Sequence, residues 1–416
     1  MTASEQLAQF AAGSKALPKL CREYKKERAT VHLKELVGGA LSFYAAAAVA
    51  KTGGVHIFVA EDRDAAAYLL NDFYNLLDEK QVYFFPSSYK RSAAYGAEDA
   101  QGVVQRTTAM NAVRGFTKGY LVVCTYPEAL AERVVDAATL QRDTIAVKLG
   151  DKISIAVLED ALADANFTRV DFVYEPGQYS VRGGIVDVFS YSESKPYRID
   201  FFGDEVDSIR RFNISSQLSA DKLDRVEIVP NLNAGEAPRV SFVQFAGSSA
   251  TCWFYDADYV LRRVNDLRRK VLADMEEPGQ IDRLLTSRNV LLRDMAGNSV
   301  VALRDNLPER PATAAVVFDT APQPKFNKNF EMLADDMIRN SLRGYATYIL
   351  SENKVQVERL ENIFHQIGRG QAAVRSLSVT LHEGFVDNDL KLCLYTDHQI
   401  FDRYQRYRIN GEIRRD

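Results

Sequence analysis

The stretch YEPGQYSVRGGIVDVFSYSESKPYRIDFFGDEVDSIRRFN, from Tyr174 to Asn213, decides the predicted fold of the middle of the chain. It contains three strand-like runs that follow one another closely, with turn-forming residues between them. Such spacing is typical of antiparallel strands. We predict that the first run, QYSVRGGIVDVF (Gln178 to Phe189), is one strand, although Arg182, Gly183 and Gly184 lie in its middle.

Strand alternation assigns the side chains of this run to two faces. We expect the apolar face to pack on the core of the module. Glycines weaken the interior of a strand, so we expect them to leave a low surface that a partner backbone can approach. Without a partner, the same pattern would place a solvated arginine beside a β-bulge. The polar face is Ser180, Arg182 and Gly184, and the apolar face is Val181, Ile185 and Phe189.

The residues before this stretch extend it into an α+β module. DTIAVKLGD and RVDFVY have the composition of strands, and SIAVLEDALADANF between them has the periodicity of a helix. The sequence therefore predicts an antiparallel meander with one helix at residues 136–216.

Strands and helices alternate over the first third of the chain. VHIFVA, QVYFFP and YLVVCT are short apolar runs that suit buried parallel strands, and helical patterns lie between them. This order predicts a doubly wound parallel sheet.

Similar α/β character returns after residue 216, and four prolines from Pro308 to Pro324 mark a boundary. We predict an α/β domain that is split between residues 1–135 and 217–315, the inserted α+β module at 136–216, and a small α/β domain at 325–416.

The composition argues against several functional classes. The 416 residues carry a formal net charge of −4, whereas binding of free nucleic acid needs a basic surface, so we expect no strong DNA binding. The four cysteines form no CxxC pair, so we expect neither a zinc site nor disulfides, and a cytoplasmic location. No apolar run is long enough to span a bilayer, so we expect no membrane partner.

The nearest approach to a phosphate-binding loop is ELVGGALSFY, residues 35–44. Such a loop ends in Gly-Lys-Ser/Thr. Here Leu41 stands at the last glycine, Ser42 at the lysine and Phe43 at the hydroxyl that holds Mg²⁺. We therefore expect no ATP, Mg²⁺ or other cofactor in this chain, and a tight turn into a core helix instead.

Other catalytic signatures are also incomplete. Asp256 follows an apolar strand, but Ala257 replaces the glutamate that would position water, so we expect Asp256 to cap a helix. The five histidines have no metal-ligand spacing, and we expect His56, within an apolar run, to be a hydrogen-bonded core residue. The sequence thus predicts a chain without catalytic residues.

Residues Tyr174 to Asn213 resemble the module shared by UvrB, of nucleotide excision repair, and the bacterial transcription-repair coupling factors (the Mfd family). The shared pattern is GxYxVRGxxxDxF followed by YRxxFFxDExxxxR. LHEGFVDNDLKLCLYTDHQIFDRYQRYR, near the end of the chain, is similar to a later domain of the coupling factors and not to UvrB. The chain therefore resembles the N-terminal region of the coupling-factor family over nearly its whole length.

This resemblance implies a degenerate helicase-like domain, split by a module that binds the damage sensor UvrA. It implies that UvrA contacts two arginines, Arg169 and Arg182 here, and that Ser180 replaces a third. UvrB also has a long aromatic hairpin that clamps DNA, for which FFPSSYKRSAAYGAEDAQG is too short. We expect the sites for RNA polymerase, duplex DNA, and ATP with Mg²⁺ to lie beyond Asp416, in the translocase part of the full-length protein.

The predicted function is a non-catalytic platform that recruits UvrA and so couples stalled transcription to nucleotide excision repair. One alternative is a UvrB-like, DNA-binding ATPase or helicase, which would need an intact phosphate loop. A second alternative is a DNA-binding damage sensor, which would need a basic groove or the long hairpin.

Overall fold

The computed structural model describes residues 1–89 and 98–409 of the chain. Its first segment alternates strands and helices, as the apolar runs predict. The strands are β1 (Thr30–Lys34), β2 (Gly54–Val59), β3 (Val82–Phe84), β4 (Tyr120–Thr125) and β5 (Val134–Val135). The helices are α1 (Ala3–Ala12), α2 (Ala16–Tyr24), α3 (Ala40–Thr52), α4 (Arg63–Leu76), α5 (Ala100–Arg114), α6 (Pro127–Ala131) and α7 (Ala137–Asp143).

The middle of the chain is mostly β-structure with one helix. Its strands are β6 (Ile145–Lys148), β7 (Thr168–Arg169), β8 (Gln178–Arg182), β9 (Ile185–Val188), β10 (Tyr197–Phe202), β11 (Glu205–Phe212), β12 (Ser219–Leu223) and β13 (Arg225–Ile228). The helix α8 (Ile155–Asp164) lies between β6 and β7.

The rest of the chain returns to alternating elements. The strands are β14 (Arg239–Val240), β15 (Thr251–Phe254), β16 (Val300–Ala302), β17 (Ala314–Val317), β18 (Thr320–Pro322), β19 (Ala346–Leu350), β20 (Ser376–Leu377), β21 (Phe385–Asp387) and β22 (Leu392–Thr396). The helices are α9 (Phe242–Ala246), α10 (Ala257–Asp274), α11 (Ile281–Leu284), α12 (Arg288–Asp294), α13 (Phe330–Leu342), α14 (Lys354–Gln366) and α15 (Asp397–Ile400).

A seven-stranded parallel sheet forms the centre of the largest domain, in the order β17-β1-β16-β15-β2-β4-β3. Strands from both sides of the middle segment therefore share one sheet. Parallel strands covered by helices on both faces need apolar side chains on both faces, and β2 is buried almost throughout. The predicted mixed α/β fold with a large parallel sheet is confirmed.

A six-stranded sheet forms the middle module, in the order β12-β11-β10-β9-β8-β7. Helix α8 packs on one face of this sheet, where Leu158 and Leu162 join the buried valines and isoleucines of the strands. Strands β6 and β13 pair with each other at the entry and exit of the module. The sheet thus continues through β12, past the predicted boundary at residue 216.

The Arg182-Gly183-Gly184 segment forms a turn and does not continue a strand, so the prediction of one strand from Gln178 to Phe189 is wrong. Strands β8 and β9 are antiparallel, with Arg182 opposite Ile185. Gly183 has a φ of 58°, which the first central residue of a type II′ hairpin turn requires and which glycine adopts without strain. The backbone therefore reverses direction at the two glycines.

The predicted strand RVDFVY forms only its first residue, Arg169, within β7, which pairs parallel to β8. Further along, the side chain of Gln178 takes the place of strand partners. Its Oε1 accepts hydrogen bonds from the backbone N–H groups of Tyr174 (2.8 Å) and Glu175 (3.1 Å). The chain from Phe172 to Tyr174 is consequently a loop, in which Phe172 and Tyr174 are exposed and Val173 is buried.

The small C-terminal domain has a mixed five-stranded sheet, in the order β18-β21-β22-β19-β20, with its own core. The chain after this domain returns to the first domain and lies across α4. The Tyr68 hydroxyl donates to the carbonyl oxygen of Gln405 (2.9 Å), and the N–H of Arg408 donates to Oδ1 of Asn71 (3.0 Å). These contacts fix the C-terminal domain against the large domain.

Candidate protein-binding surface

The face of the six-stranded sheet opposite α8 carries mostly charged and polar side chains, and we call it the outer face. Because strand partners point to the same side of a sheet, the register of β8 to β11 brings these side chains together. They are Ser180, Arg182, Ile185, Asp187, Arg198, Asp200, Ser208 and Arg210.

Asp187 is at the centre of the outer face and holds two arginines. Its side chain is only 2% exposed. Its Oδ2 accepts from Nη2 of Arg182 (2.7 Å) and from Nη2 of Arg198 (2.9 Å), and its Oδ1 accepts from Nε of Arg198 (2.8 Å). A buried carboxylate requires such neutralisation. In turn, the hydrogen bond to Asp187 raises the pKa of the Arg198 guanidinium.

Arg182 combines this internal contact with access to solvent. Its side chain is 39% exposed. The guanidinium carbon lies 4.9 Å from the ring centre of Phe172, within the range of a cation–π contact. Asp187 and Phe172 thus limit the rotamers of an arginine that a partner can still reach, which reduces the entropy lost on binding.

A second acidic residue lies on the outer face. Asp200 accepts from Nη2 of Arg210 (2.8 Å) and from the hydroxyl of Ser208 (2.6 Å). Basic and acidic groups thus alternate along the outer face, and the partly exposed Asp200 and Arg210 can contribute to charge complementarity with a partner.

The three predicted site residues have different positions. Arg182 is exposed on the outer face, as predicted. Ser180 is on the same face but is buried, and its hydroxyl has no hydrogen-bond partner among the described residues, so the prediction that it offers contact surface needs correction. Arg169 pairs in register with Tyr179, which places it on the α8 side, where its Nη1 donates to Oε1 of Glu159 (2.6 Å).

Arg169 and Arg182 therefore lie on opposite faces of the sheet. A partner would have to reach around the edge strand β7 to touch both. Ile185 also differs from its prediction, because the turn places it opposite Arg182 on the outer face and not in the module core. Phe189, beyond the end of β9, is buried as expected.

The prediction from sequence missed Asp187, Arg198 and Phe172. The first two follow Arg182 in the same motif, and the correct hairpin register would have paired them with the arginine strand. Phe172 had no comparable signal, since it was assigned to a strand that does not form. Apolar side chains of the same module are also exposed, as is typical of protein interfaces. They are Leu149, Val157, Phe172, Tyr174, Phe202 and Leu218.

The degenerate phosphate loop is a tight turn into the core helix α3, as predicted. The φ of Gly38 is 58° and Gly39 caps the helix. A Cβ atom on Gly39 would lie 2.0 Å from the backbone oxygen of Glu383, so the C-terminal domain covers the turn. The hydroxyl of Ser42 donates to Oδ2 of Asp72 (2.7 Å) instead of facing a ligand.

Two further residues have the structural roles predicted for them. Asp256 caps α10, with its Oδ1 accepting from the N–H of Tyr259 (3.0 Å). His56 is buried between the carbonyl oxygen of Gly53 and the indole of Trp253, whose Nε1 donates to Nδ1 (3.1 Å). Burial lowers the pKa of His56 to about 4.

Metal and membrane sites are not evident in the described part of the chain. Within residues 1–89 and 98–409, no three His, Cys, Asp or Glu side chains come together as a metal site. No helix in these residues is long and apolar enough to span a membrane. The prediction about a shortened DNA-clamping hairpin falls largely on residues 90–97, which lie outside the described ranges.

Comparisons with known proteins agree with the geometry of the middle module. A family model described as the UvrB interaction domain matches residues 145–233. The transcription-repair-coupling factor of Bacillus subtilis (strain 168) is 27% identical over 199 residues, and that of Escherichia coli (strain K12) is equally similar. The corresponding protein of Haemophilus influenzae is 35% identical over 101 residues.

These matches cover 48% of this chain for the first two relatives and 24% for the third. They span 17%, 17% and 9% of the relatives' own lengths. Residues 145–233 thus match the UvrB interaction domain, and about half of the chain is similar to a small part of the transcription-repair-coupling factors, which supports an N-terminal region of that type.

Proposed function

We propose that this chain is a non-catalytic platform that recruits UvrA and thereby couples stalled transcription to nucleotide excision repair. The observation that carries the proposal is the exposed guanidinium of Arg182, held by Asp187 and Phe172 inside the matched UvrB interaction domain. The similarity to transcription-repair-coupling factors supports the process.

The chemistry of Arg182 suits an acidic partner surface. Asp187 engages Nη2 of Arg182, and a guanidinium has five N–H donors in all, so others remain for a partner. A carboxylate of UvrA would accept from them in a charge-assisted hydrogen bond, which is about twice as strong as a neutral one. The exposed aromatic side chains of Phe172 and Tyr174 would supply apolar contact area beside this anchor.

The absence of catalysis in the proposal rests on the α3 turn. A phosphate at this helix end would need free backbone N–H groups and a lysine. The backbone of Glu383 occupies the space next to Gly39, and Ser42 is committed to Asp72. This arrangement disfavours the alternative of a UvrB-like ATPase or helicase.

The remaining activities belong to the full-length protein in this proposal. It would be a cytoplasmic, ATP-dependent DNA translocase that binds RNA polymerase and duplex DNA through domains other than those described here. The chain itself would contribute the contact to UvrA.

A pull-down with purified proteins tests the proposal. The chain is immobilised and offered UvrA or UvrB separately, because the description of the matched family names UvrB. We expect retention of UvrA and no retention of UvrB alone. Retention of neither protein above the level of empty beads would refute the proposal, and retention of UvrB alone would replace UvrA as the partner.

A further inference from the structure

A cavity of about 500 Å³ lies in the large domain, away from the outer face of the module. It opens at the carboxyl ends of β1, β2, β15 and β16, where open α/β sheets form their ligand crevice. Its volume is that of a small-molecule site. Most of its wall is apolar or aromatic, with Leu33, Leu41, Phe58, Leu69, Trp253 and Leu303.

The same cavity is unfavourable for phosphate groups. The N-terminus of α3 forms part of its wall, and such a helix end ordinarily attracts anions. Here the carboxylate of Glu383 already approaches the turn, with Oε2 3.6 Å from the position of a Cβ atom on Gly38. An incoming phosphate would meet this negative charge and the carbonyl oxygen of the same residue.

The ionisable groups of the wall favour a cation. Two carboxylates line the cavity, from Glu61 and Glu383, against one guanidinium, that of Arg304, while the buried Asp72 accepts hydrogen bonds from Ser42 and from the N–H of His382. The charge of Arg304 is partly offset by Asp256, since its Nε is 3.7 Å from Oδ2 of Asp256. His382, the other basic side chain of the wall, is stacked on Tyr68 with 3.7 Å between ring centres.

We propose that this cavity binds an organic cation with an apolar body, of the class of primary arylalkylamines, and does not bind nucleotides. The ammonium group lies towards Glu61 and Glu383. The apolar body packs against Phe58 and Trp253, which are stacked on each other in the cavity wall. This site is separate from the proposed contact to UvrA, and neither depends on the other.

Intrinsic fluorescence provides a direct measurement, since Trp253 is the only tryptophan of the chain and lines the cavity. The whole chain is titrated with phenethylamine, with the neutral 2-phenylethanol, and with Mg·ATP. A ligand of this size is expected to saturate in the millimolar range. We expect a saturable emission change with the amine, at least about tenfold weaker binding of the alcohol, and no change with Mg·ATP.

The same ligands are titrated into N-acetyltryptophanamide, and the collisional quenching measured there is subtracted from the signal of the protein. Equal affinity for amine and alcohol, a linear response to the amine, or saturable binding of Mg·ATP would each overturn the proposal.

Variants of the two carboxylates assign the binding to this cavity. The double variant Glu61→Gln/Glu383→Gln should bind the amine at least about tenfold more weakly than the wild type and should bind the alcohol with unchanged affinity. Glu352→Gln, at an exposed glutamate of the small domain, is the matched control and should bind as the wild type does. Circular dichroism checks the fold of each variant. A double variant that is folded and binds the amine with wild-type affinity would contradict the proposed site.

Discussion

Arg182 and Asp187 are joined across a two-residue hairpin, with Nη2 of the arginine 2.7 Å from Oδ2 of the aspartate. The carboxylate is buried, while the guanidinium remains accessible to solvent. Asp187 also binds Arg198 through both of its oxygens. One buried carboxylate therefore sets the position of the residue that we propose to contact UvrA.

Asp187→Asn is expected to destabilise the module by about 3–5 kcal/mol, because the guanidinium of Arg198, whose side chain is only 13% exposed, loses its countercharge. Urea unfolding followed by circular dichroism measures this loss. The matched control is Asp221→Asn, since Asp221 is exposed and lies 3.5 Å from Arg211. The control should change the free energy of unfolding by less than about 1 kcal/mol. Equal effects of the two variants would contradict the role given to Asp187.

Ile185→Glu and Val186→Glu should differ strongly in their effect on the stability of the module, although the two residues are adjacent. Val186 belongs to the module core, so a glutamate there would be a buried, unpaired charge and should prevent folding of the module. Ile185 lies on the outer face opposite Arg182, and Ile185→Glu should lower the free energy of unfolding by no more than about 1 kcal/mol. Thermal unfolding followed by circular dichroism decides between them, and an unfolded Ile185→Glu module would contradict the hairpin register.

The contrast between these neighbours shows why alternation along one continuous strand predicts the wrong face for Ile185. In a continuous strand, residues an odd number of positions apart point to opposite sides of the sheet, as Arg182 and Ile185 would. A two-residue turn makes them direct partners on the same side. The pair Gly183-Gly184 is itself a hairpin signal, but strand composition on both sides favoured a single long strand.

The large sheet was more predictable than the contacts between domains. Its strands are apolar runs such as Val55 to Ala60, and local sequence is enough to recognise them. The position of Glu383 over Gly39 joins residues that are far apart in the chain, and no local pattern encodes it. The position of Arg169 likewise depends on the pairing of β7 with β8, which is parallel and only two residues long.

Asp72→Asn should make the free energy of unfolding of the protein less sensitive to rising pH. Burial raises the pKa of Asp72 from 3.8 to about 7. The folded pKa lies above the unfolded one, so the contribution of Asp72 to stability is full below about pH 4 and is lost as the pH rises through 7. Relative to the wild type, the free energy of unfolding of the uncharged variant should therefore rise by up to about 4 kcal/mol between about pH 4 and about pH 7.

The local hydrogen bonds tolerate this substitution. The hydroxyl of Ser42 also lies 3.1 Å from the carbonyl oxygen of Gly39, so it can donate there and accept from the amide of the variant. Urea unfolding of both proteins at about pH 5 and about pH 8 measures the difference. His56 titrates in the opposite sense but is present in both proteins, so its effect cancels. A difference that does not change with pH would contradict the buried, protonatable state of Asp72.

Mg·ATP at millimolar concentration should leave the melting temperature of the chain unchanged. The α3 turn lacks the lysine and is covered by Glu383, so no specific binding should stabilise the folded state. Differential scanning calorimetry with and without Mg·ATP makes this measurement. An increase of several degrees would indicate a nucleotide site and revive the ATPase alternative.

The most direct test of the central claim is the affinity of purified UvrA for the wild-type chain and for Arg182→Glu, measured by isothermal titration calorimetry. Arg225→Glu is the control, since Arg225 is an exposed arginine of the same module, on β13. We expect UvrA to bind the wild type and the control alike. Arg182→Glu should lower the affinity by about 10²- to 10³-fold, because attraction becomes repulsion at the anchor. Arg198 still binds both oxygens of Asp187, so the variant should remain folded by circular dichroism. Wild-type affinity in a folded Arg182→Glu variant would contradict the proposed surface, and no binding of UvrA to the wild type would contradict the proposed function.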